Sequence, residues 1–241
     1  MDTVKANIKN LTSLWKTTAE LAGKYTEESK YSLSLANTGD WPNRLWFKSL
    51  PKPEEINSIK KSMSLNKLSV PIWGEHLQEL ALIMKGNGFE EKLIQIGMSR
   101  VLNEDYNCSA HLVIQKVTKE DEAKKWAMLF TEAFGYYISS ETVLNSLGQI
   151  EYYIAKHRGI EVGTGVLFID QNGIAGIHSM GIIPTYRRKG YAEELLKHLL
   201  QRTRDLGCSY VTLQASEMGK GLYLKSGFQE NFIIKTFINH K

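Results

Sequence analysis

The sequence predicts a mixed α/β or α+β protein. Three observations point there. Apolar runs with strand character recur along the chain, and amphipathic stretches with helical period separate them in no strict alternation. Arg158-Gly159 and Asn172-Gly173 are hairpin turns between apolar runs. A leucine-striped segment, residues 192–206, follows one of those runs directly and reads as a long buried-face helix.

The elements follow in order. The period of apolar residues predicts a helix over 8–21. Strands are expected over 31–36 and 44–47, separated by the turn-rich Asn37-Thr38-Gly39-Asp40. A helix from residue 53 or 54 to 63 starts with Pro in its first turn. A strand over 68–73, a helix over 76–84 and a strand over 92–100 complete the first half. Residues 103–107, Asn-Glu-Asp-Tyr-Asn, form a polar break, which divides the chain into 1–106 and 107–241.

The second half reads as a strand over 111–117, helices over 119–134 and 140–147, and strands over 151–157, 160–170 and 173–183. The long helix follows. Its apolar face is Ala192, Leu195, Leu196, Leu199, Leu200 and Leu206, and its polar face includes Glu193, Glu194, Lys197 and Arg202. Gly207 suits the C′ position. A strand over 209–215, a short helix over 219–225 and a strand over 228–237 end the pattern. Gly88-Phe89 and Gly227-Phe228 stand alike between a short helix and a strand, which suggests a duplicated unit.

Composition narrows the function classes. The chain has 241 residues, 42% of them hydrophobic, enough for a sizeable core in one large or two small domains. A net charge of +4 suits an anionic ligand and is too small to argue for nucleic acid. Cys108 and Cys208 show no metal-ligand spacing, so no metal is expected. No secretory leader or membrane-length apolar run is evident, and a cytoplasmic enzyme is expected, with no membrane partner.

The chemistry concentrates at Arg187-Arg188-Lys189-Gly190-Tyr191-Ala192, between the 173–183 strand and the long helix. A helix N-terminus presents unpaired N–H groups and partial positive charge, and the three cations add to it. A basic triplet alone is equally a solvated face or a nucleic-acid patch. The Rossmann and P-loop fingerprints do not appear. Arg187, Gly190 and Ala192, preceded by Ile183-Pro184-Thr185-Tyr186 and followed by Leu222-Tyr223-Leu224-Lys225-Ser226-Gly227-Phe228, resemble the GNAT superfamily of N-acyltransferases. The resemblance runs from about residue 109 onwards.

It implies a central mixed sheet flanked by helices, preceded by a degenerate half of the same fold. It implies acetyl-CoA as co-substrate, its pyrophosphate on Arg187 to Ala192 and its pantetheine arm along the main chain of Met180, Gly181 and Ile182. Tyr223 takes the place of the family's general acid, or is a packing residue. His178 is a candidate base or a structural histidine, with Glu217 as another candidate base. Ser216 contacts the cofactor or caps a helix. Phe134, Tyr136-Tyr137 and the aromatic 41–47 segment line an acceptor pocket or belong to the core. The expected activity is transfer of an acetyl group to a small-molecule or peptide amine by direct attack in a ternary complex. A CoA-binding regulatory module without turnover is the alternative. A homodimer is compatible with either.

Overall fold

The computed structural model of the chain describes residues 2–52, 55–57, 59–60, 68–106 and 111–239. It is a mixed α/β fold with one central mixed sheet flanked by helices. The first half contributes α1 (Thr3–Ala22), β1 (Gly23–Glu27), β2 (Tyr31–Ala36), β3 (Arg44–Phe47), β4 (Ser69–Ile72), α2 (Leu77–Gly86) and β5 (Phe89–Val101). The second contributes β6 (Val113–Lys116), α3 (Glu120–Phe134), α4 (Ser140–Ser146), β7 (Glu151–His157), β8 (Ile160–Ile169), β9 (Ala175–Ile182), α5 (Tyr191–Asp205), β10 (Tyr210–Ser216), α6 (Glu217–Lys225) and β11 (Gln229–Asn239). The helix expected from 53 or 54 to 63 falls partly outside the described residues; 55–57, 59 and 60 are helical. Cys108 also lies outside them.

The sheet order is β1-β2-β3-β4-β11-β5-β10-β9-β8-β7-β6. The two halves therefore share one sheet and exchange strands. β5, from the first half, lies between β10 and β11 and is antiparallel to both. β11, from the second half, pairs only with β4 and β5. The two helix-to-strand junctions reach this exchange alike: Gly88 and Gly227 have φ of 78° and 79°, a left-handed conformation that favours glycine. Gly97 of β5 faces Phe232 of β11, whose ring covers the space a Cβ would fill.

Helices cover both faces. α1, α3 and α4 share a core with Trp15, Trp126, Phe130 and Tyr152. On the opposite face α5 buries Leu195, Leu196, Leu199 and Leu200 against Met98, Val162, Val211 and Leu213. Four such side chains contribute about 1.5–3 kcal/mol each. α5 is also clamped to β7, where Arg202 donates from Nε and Nη2 to the two Glu151 carboxylate oxygens at 3.0 and 2.7 Å. Two details of the expected stripe differ. Glu194 is buried, because its carboxylate accepts the Leu112 N–H at 2.7 Å, and Leu206 is 38% exposed, one residue past the helix end.

A chain lacking residues 1–106 would leave β11 with neither of its sheet neighbours. It is expected to lose the cooperative thermal transition of the full chain in circular dichroism. A sharp, reversible melt of that fragment would show that β11 can find another partner.

Candidate active site

One parallel pairing sets the geometry of the site. β9 and β10 bond only at Ala175–Val211 and Gly176–Thr212. Beyond Gly176 the strands part, so one edge of β9 from residue 177 to 182 carries no neighbour among the described residues. On its other edge β9 stays paired to β8 but bulges. Two of its residues, Ser179 and Met180, stand opposite Gly165 alone. Ser179 has φ of 46°, and its carbonyl accepts the Thr164 hydroxyl at 3.0 Å. Left-handed backbone at a serine is uncommon, and such outliers concentrate at functional sites.

The wedge between the strands is bridged by side chains. His178 Nδ1 lies 3.1 Å from Gln214 Oε1, and its Nε2 lies 2.9 Å from Asn10 Oδ1. The amide orientations follow from their other bonds. Asn10 Nδ2 donates to Ile174 O at 2.8 Å and Phe168 O at 3.4 Å. Gln214 Nε2 donates to Asn7 Oδ1 at 2.6 Å, and Asn7 Nδ2 donates to Met98 O and Leu213 O. Asn7 and Asn10 are fully buried on α1, three residues apart and hence on one helix face. Gly176 makes room: a Cβ there would stand 1.9 Å from Asn10 Oδ1 and 2.2 Å from His178 Nε2.

His178 lines the cleft but does not have the character of a free base. It is 7% exposed, and both ring nitrogens are engaged. Burial, only partly opposed by Gln214, holds its pKa down to about 4. The ring is therefore neutral near pH 7 and carries one N–H, so it donates to one of the two amide oxygens and only abuts the other, packed between β9, β10 and α1. Neither Asn7, Asn10 nor Gln214 stood out in the sequence. Two asparagines at helical spacing on an apolar stripe were the available signal.

At the end of β9, Pro184–Tyr186 form a 3₁₀ turn and the basic loop follows. Arg188 and Gly190 have φ of 60° and 81°. The main-chain N–H groups of residues 188–192 make no hydrogen bond with a described residue. Five consecutive amides without a partner among the described residues at the start of a buried helix are of the kind that takes an anion. Arg187 differs from expectation. Its Nε donates to Ile182 O and its Nη2 to Ala133 O, both at 2.9 Å, so it clamps the loop to β9 and to the last turn of α3. Lys189 stands over the Tyr186 ring at 4.8 Å and is not on the cleft wall. Gly190 answers a need for positive φ; no atom lies within 4 Å of the Cβ it lacks.

A single cleft of about 1330 Å³ gathers the other expected residues: Met180, Gly181, Ile182, Arg188, Gly190, Tyr191, Ala192, Ser216 and Tyr223, beside His178 and part of Arg187. Ser216 caps α6, its hydroxyl accepting the Gly219 N–H at 3.2 Å. Tyr223 is 8% exposed, its ring edge-on to Phe228 at 5.8 Å, and its hydroxyl bonds to no described residue. Burial raises its pKa, so the phenol keeps its proton at neutral pH. Phe134 packs onto the main chain of Gly181, where a Cβ would be 2.7 Å from its Cζ. The first half also contributes to the cleft wall, among others with Leu14, Trp15, Asp40, Trp41 and Arg44. Tyr136 lies on the wall, while Tyr137 is half exposed and not on it.

A splayed parallel strand pair, a bulged inner strand and a run of free amides meet at one cleft. Residues 118–228 match the model of the acetyltransferase (GNAT) family, and the chain accordingly contains a GNAT acetyltransferase domain. Solved structures extend the likeness of fold over nearly the whole chain. A GCN5-related N-acetyltransferase from Kribbella flavida aligns with a TM-score of 0.72 at 14% identity, covering 98% of this chain and 96% of that one. A GCN5-related N-acetyltransferase from Sphaerobacter thermophilus gives 0.61 at 16%, over 87% and 80%. A protein of unknown function from Staphylococcus epidermidis gives 0.63 at 17%, over 89% and 92%. No curated protein matches the chain closely enough to narrow this further. No helix among the described residues is long and apolar enough to cross a membrane.

Two outcomes test the wedge. Replacing Asn10 with Ala strands two buried carbonyls and one His178 nitrogen, and is expected to destabilise the protein by about 1–3 kcal/mol in urea unfolding. The His178 effect has a defined sign. Its folded pKa lies below the unfolded value of 6.5, so the unfolded chain binds the extra proton. The folded state is expected to lose up to roughly 3 kcal/mol as pH falls from 6.5 to 4. His178→Gln should flatten that slope. Glu151, held down to about 2 by Arg202, Lys116 and Tyr153 against the opposing effect of burial, contributes its own loss only below pH 4.5.

Proposed function

We propose that the protein transfers an acetyl group from acetyl-CoA to an amine acceptor by direct attack. The observation that carries this reading is the run of five free amides beside the open inner edge of β9. The amides of residues 188–192, with the Arg188 guanidinium, are placed to take a pyrophosphate. The unpaired edge of β9 over Met180, Gly181 and Ile182 suits main-chain bonds to an extended amide-bearing arm. The bulge at Ser179 and Met180 interrupts the β8 ladder before it resumes at Gly181, and an amide left out of that ladder beside a thioester carbonyl would stabilise the oxyanion formed on attack.

The acceptor nitrogen attacks the thioester carbon, the C–S bond breaks, and the sulfur leaves as a thiolate. Tyr223 is the proton donor to that sulfur. Its phenol is neutral, lies on the cleft wall and is bonded to no described residue, so the proton is available. Cys208 is buried, outside the cleft wall, with its thiol pKa raised by burial and by Asp170. That favours a ternary complex over an acyl-cysteine route. His178, neutral and buried between Asn10 and Gln214, positions β9; the amine's proton leaves through water in the cleft.

Acetyl-CoA and free CoA should both raise the melting temperature, with linkage giving about 2.7 kcal/mol at one hundred times Kd. Absence of any shift at millimolar ligand would overturn the reading. Tyr223→Phe is expected to lower kcat by about 10- to 100-fold while leaving the acetyl-CoA shift intact. An unchanged kcat removes the acid role from Tyr223.

A further inference from the structure

The end of the cleft remote from the amide loop is built across the two halves of the chain and has a distinct chemistry. Its walls are apolar and aromatic, with Leu14, Trp15 and Trp41 contributing from the first half. Among them stands one guanidinium. Arg44 follows Asn43 at the start of β3, and its Nη1 donates to the Asn43 carbonyl at 3.0 Å. Tyr136 shares the cleft wall and acts on Arg44 electrostatically, and the Arg44 Cζ lies 6.0 Å from the centroid of the Trp15 ring. No carboxylate among the described residues forms an ion pair with it. Asp40 acts on it at longer range and accepts the Tyr137 N–H at 3.1 Å. Burial pushes the Arg44 pKa down against the combined influence of Tyr136 and Asp40, so its charge is incompletely compensated where it sits.

We infer that Arg44 and the Tyr136 hydroxyl form the subsite for a carboxylate on the acceptor, making the acceptor an amino acid or a similar amine acid with an apolar body. This deepens the acyl-transfer reading and rests on it. A guanidinium presents several N–H donors in a fixed plane and matches a carboxylate geometrically. The Tyr136 hydroxyl, on the same cleft wall, has a hydrogen to donate. Asp40, on the same wall, favours a ligand with a single negative charge over a phosphate dianion. Position agrees with the chemistry. The Tyr136 ring is 6.3 Å from the Phe134 ring, and Phe134 packs directly on Gly181. The carboxylate subsite is thus one aromatic ring away from the main chain assigned to the thioester. A short amine acid anchored at Arg44 points its nitrogen back towards the β9 bulge, and Trp15, Trp41 and Leu14 take its side chain.

The test is a thiol-release assay with acetyl-CoA and matched acceptors: apolar and aromatic α-amino acids, each beside its carboxamide and beside the amine lacking the carboxyl group. The acids should exceed their carboxamides by about 10- to 100-fold in kcat/KM, the range of a lost charge-assisted bond. Arg44→Gln should collapse that ratio towards one while the acetyl-CoA thermal shift stays as in the parent. Tyr136→Phe, which removes one hydroxyl with almost no change in volume, should reduce it in part and serves if Arg44→Gln does not fold. Equal or better turnover of the carboxamides or simple amines overturns the assignment. So does an acid preference that persists in both variants. Acetyl-CoA binding without turnover of any acid overturns the assignment and leaves the transfer reading standing, whereas absence of acetyl-CoA binding ends both.

Discussion

The structure depends on the early end of the β9–β10 ladder. Two residue pairs join the strands, and then the sheet opens in its interior. An opening of this kind leaves main-chain groups and a wedge of space inside the fold, which is costly unless the groups find water, ligand or side-chain partners. Here the narrow end is closed by Asn7, Asn10, His178 and Gln214, and the wide end is the cleft. Each amide in that set has its nitrogen on another protein acceptor and its oxygen facing the next member. The neutral His178 donates to only one of the two oxygens that face it, and the remaining hydrogen bonds and close packing of the set favour one separation of the strands. Gly176 is part of the same device, since the Asn10–His178 contact occupies the space of its missing side chain.

Charge is divided along the cleft by function. At the loop end the donors are mostly main-chain amides, fixed by the burial of α5 and by Arg187, whose guanidinium grips two carbonyls. At the far end one partly compensated guanidinium stands among tryptophans. Between them lie neutral groups: a phenol kept protonated by burial and an imidazole kept neutral by the same cause. The low local polarity that shifts these two pKa values also strengthens the hydrogen bonds available to a developing oxyanion.

Much of the fold was legible in the sequence. β2, β3 and β7 have the expected bounds, and α3, α4, α5 and β8 differ by a residue or so, because strong period and clear turns such as Arg158-Gly159 marked them. β1 was missed; five residues directly after a long helix offer little pattern. The neighbours of β5 could not be read, since local periodicity says which face of a strand is buried and nothing about which strand lies beside it. At the site, the loop and Tyr223 were visible through their motif. The inward turn of Arg187, the burial of Glu194 and the tying of His178 were not. Each depends on a partner distant in sequence: Ala133, Leu112 and Asn10.

The exchange of β5 and β11 also has a temporal side. During synthesis from the N-terminus, β4 and β5 emerge before either strand that will lie between or beside them. β5 is thirteen residues long and has no lasting neighbour until β10 and β11 are made. A long strand waiting with both edges open is a template for pairing with another copy of itself. Its first part carries two glutamates and a lysine, Glu90, Glu91 and Lys92, charges of the kind that discourage edge pairing. They make this nascent edge less inviting, and the cleft comes into being only when the last strand closes the sheet.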